Sequence, residues 1–96
     1  MLLHVLNRSP ATSRVYQQAL AAMSPDDCLL LVEDGVQGAL PQQVRYFAEL
    51  EGRLFALKED LAARGMLGHC AGEVQVVDVD GFVLLTEEAE RTVSWF

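Results

Sequence analysis

The chain has 96 residues, 51% of them hydrophobic and 22% charged, a balance that excludes a disordered polypeptide and gives the expectation of one domain over residues 1–96. Fourteen acidic against seven basic residues leave a formal charge of −7 with no Lys or Arg cluster, so direct nucleic acid binding is disfavoured: the chain would repel the phosphates it had to neutralise. A domain this small has apolar side chains left over once its core is filled, and that surplus points to partner subunits.

Leu2-Leu3-His4-Val5-Leu6 reads as a short, mostly apolar strand. Ser9-Pro10 is a helix-start signal, with the serine oxygen able to cap a free amide and proline at a position where no amide is needed. In the helix expected to follow, Val15, Ala19, Ala22 and Met23 recur at helical spacing, and Ser24-Pro25-Asp26-Asp27 breaks it. Next comes Cys28-Leu29-Leu30-Leu31-Val32, five apolar side chains between acidic corners. A half-exposed strand would alternate with period two, so this uninterrupted run predicts a strand buried on both faces, at the centre of a parallel sheet.

Val36 to Leu40 is expected to be a turn or frayed helix, because Gly35 and Gly38 oppose regular structure. Pro41 then opens a helix with Val44, Phe47 and Ala48 on one face, ended by Gly52. Arg53 to Leu57 is a third strand and Lys58 to Arg64 a short helix stopped by Gly65. Met66 to Glu73 is loop by composition, and Val74 to Asp78 a fourth strand. Asp80 is expected to cap a helix containing Phe82 to Leu85, and Thr86 with Glu87 and Glu88 to open a terminal helix reaching Trp95-Phe96. Strands alternating with helices give a small α/β, three-layer domain with a mainly parallel sheet.

Met1 to Asn7 is too short an apolar stretch for a secretory signal and lacks a basic start, and no apolar run approaches a membrane span. Cys28 and Cys70 form no CxxC pair and no ligand spacing with histidine; a disulfide between the two is open but unsupported, and free thiols in a cytoplasmic protein, without metal or cofactor, are the simpler expectation.

Leu3-His4-Val5-Leu6-Asn7-Arg8-Ser9-Pro10, Leu29 to Val36, Phe55-Ala56-Leu57-Lys58-Glu59-Asp60-Leu61 with Ala63-Arg64-Gly65, and Val77-Asp78 through Phe82-Val83, Leu85-Thr86 and Ser94-Trp95-Phe96 together resemble the TusB/DsrH family, in order and over essentially the whole chain. The resemblance implies a DsrE/F/H-like fold and a subunit of a cytoplasmic heterohexamer with two related small α/β chains, TusC-like and TusD-like. One branch of that family relays persulfide sulfur for 2-thiolation of the tRNA wobble uridine, with the sulfur-carrying cysteine on the TusD-like subunit; the DsrH branch serves sulfur oxidation. DsrH-like members carry a cysteine in the first helix, where this chain has Ala19. That departure favours the tRNA-thiolating branch and an accessory, noncatalytic role.

A persulfide carrier needs an accessible thiolate. Cys28, leading an apolar strand, reads as a core side chain; Cys70, beside His69 in a glycine-containing loop, is the alternative persulfide site, set against an incidental loop cysteine. Glu33-Asp34-Gly35 falls at the carboxyl end of the central strand, where open α/β sheets bind ligands, although adjacent residues on a strand point to opposite faces. Arg8-Ser9-Pro10 lies where phosphate loops occur but lacks their glycines, which also weakens a flavodoxin-like ligand-binding reading. His4 reads as a hydrogen-bonded structural histidine. Trp95 and Phe96 are interface candidates, packing either on the domain's own sheet or on a neighbour.

Overall fold

A strand without polar alternation is stable only if both its faces are covered. In the computed structural model, which describes residues 1–96, Cys28–Leu31 (β2) is the middle strand of five, and Leu29, Leu30 and Leu31 are fully buried. The sheet order is β4-β3-β2-β1-β5 and every pairing is parallel, with Leu2–Leu6 (β1), Leu54–Leu57 (β3), Gln75–Val77 (β4) and Arg91–Trp95 (β5). The α/β class and parallel sheet are as the sequence predicts.

Helix Val15–Ala22 (α1), the 3-10 segments Glu33–Ala39 and Val44–Leu50, and helix Lys58–Ala63 (α2) lie over one face of the sheet. Val36, Ala39, Phe47, Leu50 and Leu61 pack there on Leu6, Leu29, Leu31, Leu54 and Ala56. The opposite face, with Leu3, Val5, Leu30, Val32 and Leu57, is met by Phe82 and Leu85 of helix Val79–Glu88 (α3) and by Ala89 beyond it. The asymmetry follows from connectivity. Right-handed crossovers step from β1 to β4 in one direction, and the return from β4 to β5 must run back along the other face.

Four local expectations are corrected. The terminal helix is absent: α3 runs from Val79 to Glu88 and residues 91–95 form β5, paired in register with β1 from Leu2↔Arg91 to Leu6↔Trp95. The parallel edge left open on β1 outweighs the cap-like Thr86-Glu87-Glu88 signal. Ser9 does not cap a helix at Pro10. Its hydroxyl accepts from the Ala11 amide at 3.1 Å and its carbonyl from Thr12 and Ser13, so Ser9-Pro10 closes a turn and α1 begins only at Val15. The cap of α3 is Asp78, whose Oδ1 accepts from the Gly81 amide at 2.8 Å, not Asp80. The helix expected after Pro41 is a 3-10 segment kinked at Phe47, where φ is −116° and ψ 23°.

Candidate functional site

The chain ends of β1 and β2 open into a polar cleft of about 310 Å³ lined by Asn7, Arg8, Ser9, Thr12, Ser13, Glu33 and Asp34. Its acidic wall is set by an unusual turn. Glu33 has φ of +49°, in the left-handed region that side chains disfavour, and its amide donates to Asp60 Oδ2 at 2.7 Å, which holds it there. Asp34 accepts from Arg64 Nε and Nη2 at 3.3 and 3.2 Å. Glu33 and Asp34 thus share the cleft, while Asp34 already has a cationic partner. Gly35 answers to a close backbone approach: a Cβ there would lie 2.3 Å from the Leu6 carbonyl oxygen.

The two cysteines are free and pack on opposite faces of the sheet, Cys28 on the α3 side and Cys70 on the other, which rules out a disulfide between them. Both are half-buried, and burial pushes both thiols above the ordinary cysteine value; at Cys28 this outweighs the attraction of the Arg53 guanidinium. Cys70 borders a cleft with Leu40, Pro41, Gln42, Met66, Gly68 and His69. Its Sγ lies 3.7 Å from the Met66 carbonyl, to which the thiol donates. His69 is exposed beside it at the end of a 3-10 turn, Leu67–His69. Ala19, the position at which the family resemblance suggests a cysteine, is fully buried.

The most tightly built polar group of the molecule was not a candidate on sequence. Asp27, at the entrance to β2, accepts from the Leu2 amide at 2.9 Å through Oδ1, and from the Ser24 amide and His4 Nε2, each at 3.0 Å, through Oδ2. On the far side of the imidazole, Trp95 Nε1 lies 3.0 Å from His4 Nδ1. Indole can only donate, so Nδ1 accepts and Nε2 carries the hydrogen that goes to Asp27. His4 and Asp27 are both 2% exposed. Burial alone would raise the Asp27 carboxyl, but the hydrogen bonds from Leu2, Ser24 and His4 prevail and hold it at about 2. His4 in an apolar strand was the one signal available; its partners stand 23 and 91 positions away.

The same contacts place Trp95 on its own domain, stacked beside His4 with ring centroids 6.2 Å apart and planes at 21°, while Phe96 is 64% exposed. Trp95→Phe keeps an aromatic ring and removes the donor. It is expected to cost about 1 kcal/mol, read from the urea midpoint.

No group of three or more His, Cys, Asp or Glu side chains is placed to hold a metal ion, and no helix is long and apolar enough to cross a membrane. Residues 8–92 match the family described as "DsrH like protein". The chain is 35% identical over 97 residues to "Protein TusB" of Shigella dysenteriae serotype 1 (strain Sd197) and to "Protein TusB" of Escherichia coli (strain K12), the matches covering 98% of this chain and 100% of each relative. Its fold is similar to that in the crystal structure of the ychN protein from E. coli, with a TM-score of 0.78 at 17% identity over 97% of both chains.

Proposed function

This chain belongs to the DsrH family of sulfur-relay subunits, and on that premise we propose that it is an accessory, noncatalytic subunit of a cytoplasmic complex delivering persulfide sulfur to the tRNA wobble uridine. Residues 1–96 form a single DsrE/F/H-like domain in this reading. The partners are two related small α/β subunits, TusC-like and TusD-like, in a heterohexamer, and the cysteine that carries sulfur is on the TusD-like one. This chain supplies contact surface and makes no direct contact with RNA.

The observation that supports this role is the condition of its two thiols. A relay thiol must ionise easily and reach its donor and acceptor. Here burial pushes both thiols up, and the Cys70 hydrogen is engaged by a carbonyl. Neither cysteine has the environment that makes a thiolate.

After exposure of the isolated chain to a persulfide donor, intact-mass spectrometry is expected to find no added sulfur. In a complex reconstituted with both partners, Cys70→Ser is expected to leave sulfur transfer unchanged, whereas omitting this chain lowers it to background. Persulfide on Cys70 that passes to a partner, lost in Cys70→Ser, would instead make the chain a carrier.

A further inference from the structure

We propose that the outer face of α3 is the surface on which one partner subunit docks, and that the seated patch is apolar and carries Lys or Arg. This rests on the reading above and names the surface it leaves open.

Helix α3 is poorly covered. It has no fully buried residue, although it is the only helix on its side of the sheet. Phe82 and Leu85 face the sheet and are only half-buried. On the outer side Val79, Val83 and Leu84 are 49%, 47% and 58% exposed. At about 100° per residue, Val79 and Val83 form one flank of this outer face and Leu84 the other, with the carboxylates of Asp80 and Glu87 between them. Those two acids are two turns, or about 10 Å, apart along the axis.

Charge selects the occupant. From Asp78 to Glu90 the chain carries five carboxylates and no Lys or Arg. A second copy docked about a two-fold axis would set this acidic crest against itself, a like-charge arrangement that opposes association. A partner whose apolar patch carries Lys or Arg would cover Val79, Val83 and Leu84 and pair with Asp80 and Glu87 in one step. Desolvated apolar anchors within such a charged frame are how interfaces gain affinity and register.

The test uses the full chain with the two proposed partner subunits, measuring complex formation by native mass spectrometry and affinity by titration at low and high salt. Leu84→Asp places a charge at the apolar flank. Glu87→Lys reverses the crest in the last helical turn, where a cation suits the helix dipole, so the fold is kept even if Leu84→Asp should unfold. Both are expected to weaken binding of one partner about tenfold or more, as loss of an interface anchor does, and Glu87→Lys to flatten the salt dependence of the native complex. Native affinity in both variants, beside a native chain that binds, overturns this surface alone. A native chain that binds neither partner overturns the sulfur-relay reading and the surface together. Self-association of the native chain abolished by Leu84→Asp would assign the face to a second copy and overturn the proposal.

Discussion

Asp27→Asn is expected to lower the stability of the fold by about 2–3 kcal/mol, the cost of leaving buried donors and acceptors mismatched. Three donors converge on the carboxylate, the Leu2 amide at Oδ1 and the Ser24 amide with His4 Nε2 at Oδ2. An asparagine has one accepting oxygen. Whichever way its amide turns, an NH2 faces a donor. Moving the hydrogen of His4 to Nδ1 does not rescue it, because that nitrogen already receives the indole hydrogen of Trp95. Urea unfolding at neutral pH measures the loss. The carboxyl also sets a pH dependence. Its folded value, about 2, lies below the ordinary 3.8, so the folded chain takes up the proton less readily than the unfolded one. This contribution is fully present above about pH 4 and is lost as pH falls through 3.8 toward 2. In Asp27→Asn that window is expected to flatten, leaving only what other carboxylates contribute.

Gly35→Ala is expected to cost about 3 kcal/mol or more, at the upper end of overpacking penalties, since the obstruction is backbone on both sides. The added Cβ would stand 2.3 Å from the Leu6 carbonyl oxygen and 3.1 Å from its carbon. That oxygen accepts from the Val32 amide in the β1–β2 ladder, and the Gly35 amide donates to the Val32 carbonyl at 2.8 Å. Relief therefore requires moving the end of β1 or the entry to the 3-10 segment, and either shift displaces the Glu33-Asp34 wall of the polar cleft. A thermal melt gives the size of the effect. The same substitution at Gly68, which has no atom within 4 Å of a would-be Cβ, serves as the control.

What the sequence disclosed and what it hid divide along the distance over which a residue finds its partners. The five-residue apolar run at Cys28 to Val32 announces a strand covered on both sides, because a run that short between acidic corners has the length of a strand and not of a buried helix. Arg91-Thr92-Val93-Ser94-Trp95 carried strand signals too, with β-branched and aromatic residues among them, but the acids after Thr86 also read as a helix start. What makes the segment a strand is the open edge of β1, almost the whole chain away. Ser9 was misplaced as a cap because the oxygen that caps a helix also closes a turn, and Asp80 because Asp78, an identical residue two positions earlier, takes the cap instead. Asp27 was hidden because an acid before a strand looks like a solvated corner until Leu2, His4 and Ser24 are brought to it.

The pairing of β5 with β1 has a kinetic consequence. Each of the other strand pairs is closed by a stretch of some tens of residues, but the Trp95 to His4 hydrogen bond spans 91 positions and closes a loop of nearly the full chain. Such contacts are the slowest to find during folding. Until β5 arrives, β1 offers an edge of unpaired amides and carbonyls, and that interval is when one molecule can lend its last strand to another.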